Sequence, residues 1–135
     1  MEAHLKFSGA LLVLLAVLHA GFPRYFAWAD ELRPLRLINR QLMYIHTLFV
    51  ALAVLLMGVL CWACAPELAA TPLGRKVALG LGVFWLVRLL VQVVGYSAEL
   101  WRGKRFETIV HVVFVGLWGY LTAVFGAVWW GAGPQ

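Results

Sequence analysis

Apolar residues run along this chain in four long blocks, separated by short stretches where charge, proline and glycine gather. The blocks cover residues 5–28, 36–65, 75–100 and 106–130. Each is long enough to cross the hydrocarbon core of a bilayer as a helix, which takes roughly 20 mostly apolar residues. The expected fold is therefore all-α: a four-helix transmembrane bundle with short loops, one integral membrane domain over residues 1–135. The first block resembles a signal peptide in length, but lacks a small-residue cleavage site in the right place and runs on through His19-Ala20-Gly21-Phe22-Pro23-Arg24, so it is read as retained. Gly21 and Pro23 should kink or end its last turn. Pro34 suits the first turn of the second helix, where a missing N–H costs nothing. Pro66 and Pro72 bracket the loop between the second and third blocks, with Thr71-Pro72 a helix start. Gly131 to Gln135 form a short polar tail.

Composition sharpens this picture. Of 135 residues, 64% are hydrophobic and 13% charged, with a mean hydropathy of +0.88. A soluble domain is about half apolar and a quarter charged, and a small one has too much surface to hide this much apolar material. A soluble enzyme and a disordered chain are both excluded. The net charge of +5 rests on too few groups to make a nucleic-acid surface; in so apolar a chain the basic excess marks the flanks of membrane spans. Seven basic residues (Arg24, Arg33, Arg36, Arg40, Arg102, Lys104, Arg105) fall in the first and third connections, against three (Lys6, Arg75, Lys76) in the N-terminus and the middle connection. Basic loops stay cytoplasmic, so both termini should face outside. Trp28, Trp101, Trp129 and Trp130 lie near the span boundaries, where amphipathic rings settle.

Ionisable groups inside spans are expensive and mark function. His19, His46, Arg88 and His111 each fall in a different span. Counted from Arg24, Arg40 and Arg105, the three imidazoles share a layer roughly 8–9 Å below the cytoplasmic rim. Arg88, Gln92 and Tyr96 stand at i, i+4 and i+8 on one stripe that runs to Glu99. Arg88 sits near the middle of its block, and no Asp or Glu in the apolar part of any span offers it a counter-charge. Against this stands the plain alternative that each histidine only bonds a helix carbonyl. A haem b would use His46 and His111 as axial ligands, with His19 as the alternative and Arg88 as a propionate partner. A transition metal would use His19, His46 and His111. A quinone would use His, Tyr96, Gln92 or Arg88 as donors to its carbonyls.

Cys61-Trp62-Ala63-Cys64 has redox-pair spacing at the outer end of span two; its plain alternative is two small packing residues. Gly80, Gly82, Gly95, Gly116, Gly119 and Gly126 allow close helix contact, and Trp85 and Trp118 read as filler.

The stretches "LINRQLMYIHTLFVAL" and "FWLVRLLVQVVGYSAELWRGKRFETIVH" resemble a family of small bacterial four-helix membrane proteins. That resemblance implies four spans in a bacterial inner membrane and carries no activity. In span order and in "AGFPRYF" the chain is also similar to four-helix haem-binding protoporphyrinogen oxidases and copper-resistance membrane domains. His19 and Arg88 stand where that family has a first-span His and a basic third-span residue, although His19 lies at the far end of its span and no Lys lies in span three. Three function classes follow: a haem- or metal-binding redox protein that exchanges electrons with quinone; a non-catalytic subunit or assembly partner of a larger membrane complex; and an oligomeric transporter or proton-conducting unit.

Overall fold

The computed structural model describes residues 1–131, so the expected polar tail lies outside the described residues from position 132 on. All regular structure among the described residues is helical, and four helices are long and apolar enough to cross a membrane. The chain divides into two compact units, residues 2–65 and the residues from Pro66 onward.

In the N-terminal unit, α1 (Glu2–His19) packs on α4 (Leu37–Ala63). Leu5, Ser8, Gly9, Leu12, Leu15 and Ala16 form the buried stripe of α1, at the three- and four-residue spacing of one helix face. Val54, Gly58 and Cys61 are the buried positions of α4. The backbones nearly touch: a Cβ on Gly9 would lie 2.7 Å from the Gly58 carbonyl oxygen, and one on Gly58 would lie 2.9 Å from that of Gly9. This is the glycine-mediated approach that drives helix pairing in lipid, where dispersion replaces the hydrophobic effect. It uses two glycines outside the expected set. Of that set, Gly82 faces Phe125, while Gly80, Gly116, Gly119 and Gly126 have nothing within 4 Å of a built Cβ. Cys61 is wholly buried and both thiols are free, which fits packing.

The first long helix ends at His19, well short of residue 28. Pro23 has no N–H to give the His19 carbonyl, so the α-helical ladder cannot continue. The chain goes on through α2 (Phe22–Tyr25) and α3 (Trp28–Glu31), with Ala27 between them in the left-handed region at φ 50°. Trp28 is buried, its ring 5.4 Å from that of Tyr44, rather than free at a boundary. Pro34 is not in the second long helix. Consecutive turns bond Arg33 N–H to Asp30 and Leu35 N–H to Leu32, and Arg36, extended at ψ 145°, starts α4.

The C-terminal unit opens within α5 (Ala65–Ala70), a helix where a loop was expected. Thr71 then caps α6 (Pro72–Leu90), its Oγ1 accepting from Gly74 N–H at 2.9 Å, as the Thr-Pro pair predicts. The third span was expected to reach residue 100. Its α-helix instead widens into a π-turn over Val91–Gly95 and stops at Tyr96, which is extended. Ser97 and a 3₁₀ turn (Ala98–Leu100) follow. Gly103 at φ 76° turns the chain into α7 (Arg105–Trp130), which matches the expected fourth span within a residue. α6 and α7 pack through Ala78, Leu81 and Trp85 on one side and Trp118, Leu121, Val124, Phe125 and Val128 on the other.

Candidate functional site

The π-turn at the end of α6 places Gln92 inward, making it one of the few buried polar side chains among the described residues. π-turns inside α-helices concentrate at functional positions. The Trp118 indole N–H donates to Gln92 Oε1 at 3.3 Å, and Gln92 Nε2 lies 3.1 Å from His111 Nδ1. Direction follows from chemistry. An indole nitrogen can only donate, so the oxygen of the Gln92 amide must face Trp118 and its NH₂ must face His111. His111 Nδ1 therefore accepts, and Nε2 carries the proton. The ring also stacks on Trp101 at 4.7 Å and 15°. Thr108 holds the Trp101 segment, its Oγ1 donating to the Trp101 carbonyl at 2.7 Å.

Arg88 lies one turn before Gln92. Its guanidinium sits 4.9 Å from the Trp118 ring centre and 5.7 Å from that of Tyr96. Nη1 is buried and has no hydrogen-bond partner among the described residues. The Trp118 face is itself fixed, stacked on Trp85 at 5.0 Å and 11° and on Phe114 at 5.4 Å and 17°. Arg88, Gln92, Tyr96 and His111 thus form one cluster on the C-terminal unit, tied together by Trp118. Trp118 was read as filler; its signal was the i+7 spacing from His111 on the same face of a helix.

Arg88 precedes the helix end at Gly95 by seven residues, about 10 Å, and lies nearer the middle of the Pro72–Gly95 helix than its end. His19 is the last residue of α1, while His46 and His111 lie nine and six residues into α4 and α7.

His19 and His46 each bond a carbonyl of their own helix. Nδ1 of His19 lies 2.7 Å from the Leu15 carbonyl, and that of His46 lies 3.0 Å from the Leu42 carbonyl. A carbonyl only accepts, so each Nδ1 carries a proton and Nε2 is the nitrogen through which a haem or metal would be held. The two are not on a shared face, however. His19 continues the buried stripe of α1, whereas His46 is exposed and about 100° around α4 from the stripe formed by Thr47, Ala51, Val54 and Gly58. His111 has the opposite tautomer, its Nε2 protonated. Among the described residues no three His, Cys, Asp or Glu side chains are placed to hold a metal ion. His46 and His111, the expected axial pair, belong to different units.

No protein-family model matches the sequence, nor does any curated protein or solved structure at the significance required.

Proposed function

We propose that the chain is a single-domain, four-helix integral membrane protein of a bacterial inner membrane, with both termini outside, that binds the headgroup of a lipid-soluble quinone at the Arg88 cluster. The observation that carries this reading is Arg88 itself. A buried guanidinium nitrogen without a hydrogen bond loses several kcal/mol of hydration. Cation–π contacts return about 0.5–2 kcal/mol each. The deficit is met by an oxygen acceptor that the described residues do not supply. No carboxylate stands nearby in the sequence to be that acceptor. The ligand must therefore bring it, as a carbonyl or oxyanion on a flat ring that fits between aromatic faces.

A quinone meets both demands. Arg88 donates to one carbonyl, the Tyr96 hydroxyl and His111 Nε2–H are further donors in the cluster, and Trp101 offers a ring face. Gln92 is not a direct ligand in this reading: both ends of its amide are engaged, and it holds His111 in its donor tautomer. The geometry favours this ligand over haem b or a metal ion, because the one histidine beside Arg88 has its ligating nitrogen protonated.

Two measurements test the proposal. A C-terminal alkaline phosphatase fusion should be active outside the cytoplasm, and a fusion active only in the cytoplasm contradicts the orientation. A short-chain benzoquinone titrated into protein purified in mild detergent should saturate at one site per chain. Uptake no greater than that of protein-free micelles contradicts the binding reading.

A further inference from the structure

At the far end of the same helix pair, a cleft of about 370 Å³ opens between the start of α6 and the end of α7. It is lined by Pro72, Arg75, Lys76, Trp129 and Trp130. Thirteen residues of helix, about 20 Å, separate Arg75 from Arg88, so the cleft is independent of the cluster described above. Arg75 is half-buried, Lys76 is exposed, and no ion pair neutralises either among the described residues. Trp129 and Trp130 are 39% and 82% exposed, the second an extreme value for the largest apolar side chain.

Two uncompensated cations and two indoles at the tip of a long apolar helix are the chemistry of the headgroup level. There, indole rings rest on acyl chains while their N–H groups reach polar oxygens. We propose that this cleft binds the phosphate of an anionic phospholipid, with Arg75 and Lys76 on the phosphate and the two indoles on the glycerol and upper acyl region. An anionic lipid is selected over a zwitterionic one because a choline or ethanolamine group would bring a cation against Arg75 and Lys76. Arg75 is the stronger element, since its planar fork takes two phosphate oxygens at once.

The test uses the whole protein in mild detergent, with indole N–H signals of Trp129 and Trp130 followed by NMR. Dihexanoyl phosphatidylglycerol, dihexanoyl phosphatidylcholine and inorganic phosphate are titrated separately. The glycerol lipid should shift both indoles to saturation and bind about fivefold tighter than the choline lipid for each basic residue engaged. Inorganic phosphate should leave the indoles unmoved. Lys76→Gln, at an exposed position that tolerates polar change, should reduce the preference about fivefold, and Arg75→Gln should reduce it further. Equal binding of the two lipids overturns the proposal, and saturation by inorganic phosphate assigns the cleft to a free anion instead. The wild-type comparison decides the matter even if Arg75→Gln fails to fold.

Discussion

Arg88→Leu should weaken quinone binding by roughly one to two orders of magnitude while leaving insertion and thermal stability unchanged or improved. A charged residue within a span costs roughly 2.5–3.5 kcal/mol on insertion scales, and leucine removes that cost. What is lost in the unliganded protein is two ring contacts, at 4.9 Å and 5.7 Å, each contributing about 0.5–2 kcal/mol. The balance is near zero or favourable. With ligand bound the comparison reverses. A hydrogen bond from a charged donor contributes about 1.5–3 kcal/mol, so affinity should fall roughly 10- to 150-fold. Equilibrium binding and the thermal midpoint in detergent separate the two effects. If Arg88→Leu lowers the midpoint sharply, Arg88 is a structural residue tied into helix carbonyls, and the binding proposal loses its main support.

Trp118→Ala should have the largest effect on stability of any single change in the C-terminal unit. Trp118 is buried, stacks on Trp85 and Phe114, supports Arg88 and orients Gln92. Truncating a buried tryptophan leaves a cavity and costs about 3–5 kcal/mol. Trp118→Phe separates packing from hydrogen bonding, since it keeps a ring in the stack and removes the indole donor. The Gln92 amide is then free to turn over and present its oxygen to His111. In ¹⁵N NMR of histidine-labelled protein, the wild-type His111 should show protonated Nε2 alone, and Trp118→Phe a mixture of tautomers. A wild-type His111 protonated on Nδ1 would contradict the relay and restore the ring as a metal ligand.

Hydropathy made the four long helices legible, because about 20 apolar residues in a row leave the backbone few other ways to satisfy its N–H and C=O groups. Local chemistry made two boundaries legible: Thr71-Pro72 starts α6, and the basic turn before Phe106 starts α7. Pro23 ends the first helix as expected, but at His19 rather than residue 28, because the break falls at the carbonyl that proline cannot bond. The π-turn at Val91–Gly95 left no sequence signal. A one-residue insertion in helical register changes which face Gln92 occupies without changing composition. Gly9 and Gly58 were missed because their partner glycines lie on different helices, far apart in sequence. The Arg88–Gln92 pair and its lack of a carboxylate were legible from spacing and composition.

The most direct test of the Arg88 site is the infrared carbonyl stretch of a ¹³C-carbonyl-labelled short-chain benzoquinone bound to the protein. A hydrogen bond from a guanidinium weakens the C=O bond, so one labelled carbonyl should absorb at lower frequency when bound to wild-type protein than in empty detergent micelles. The shift should vanish with Arg88→Leu and persist with His46→Ala. A bound quinone with both carbonyls unshifted, or a shift that survives Arg88→Leu, would contradict the assignment of Arg88 as the group that binds the ligand.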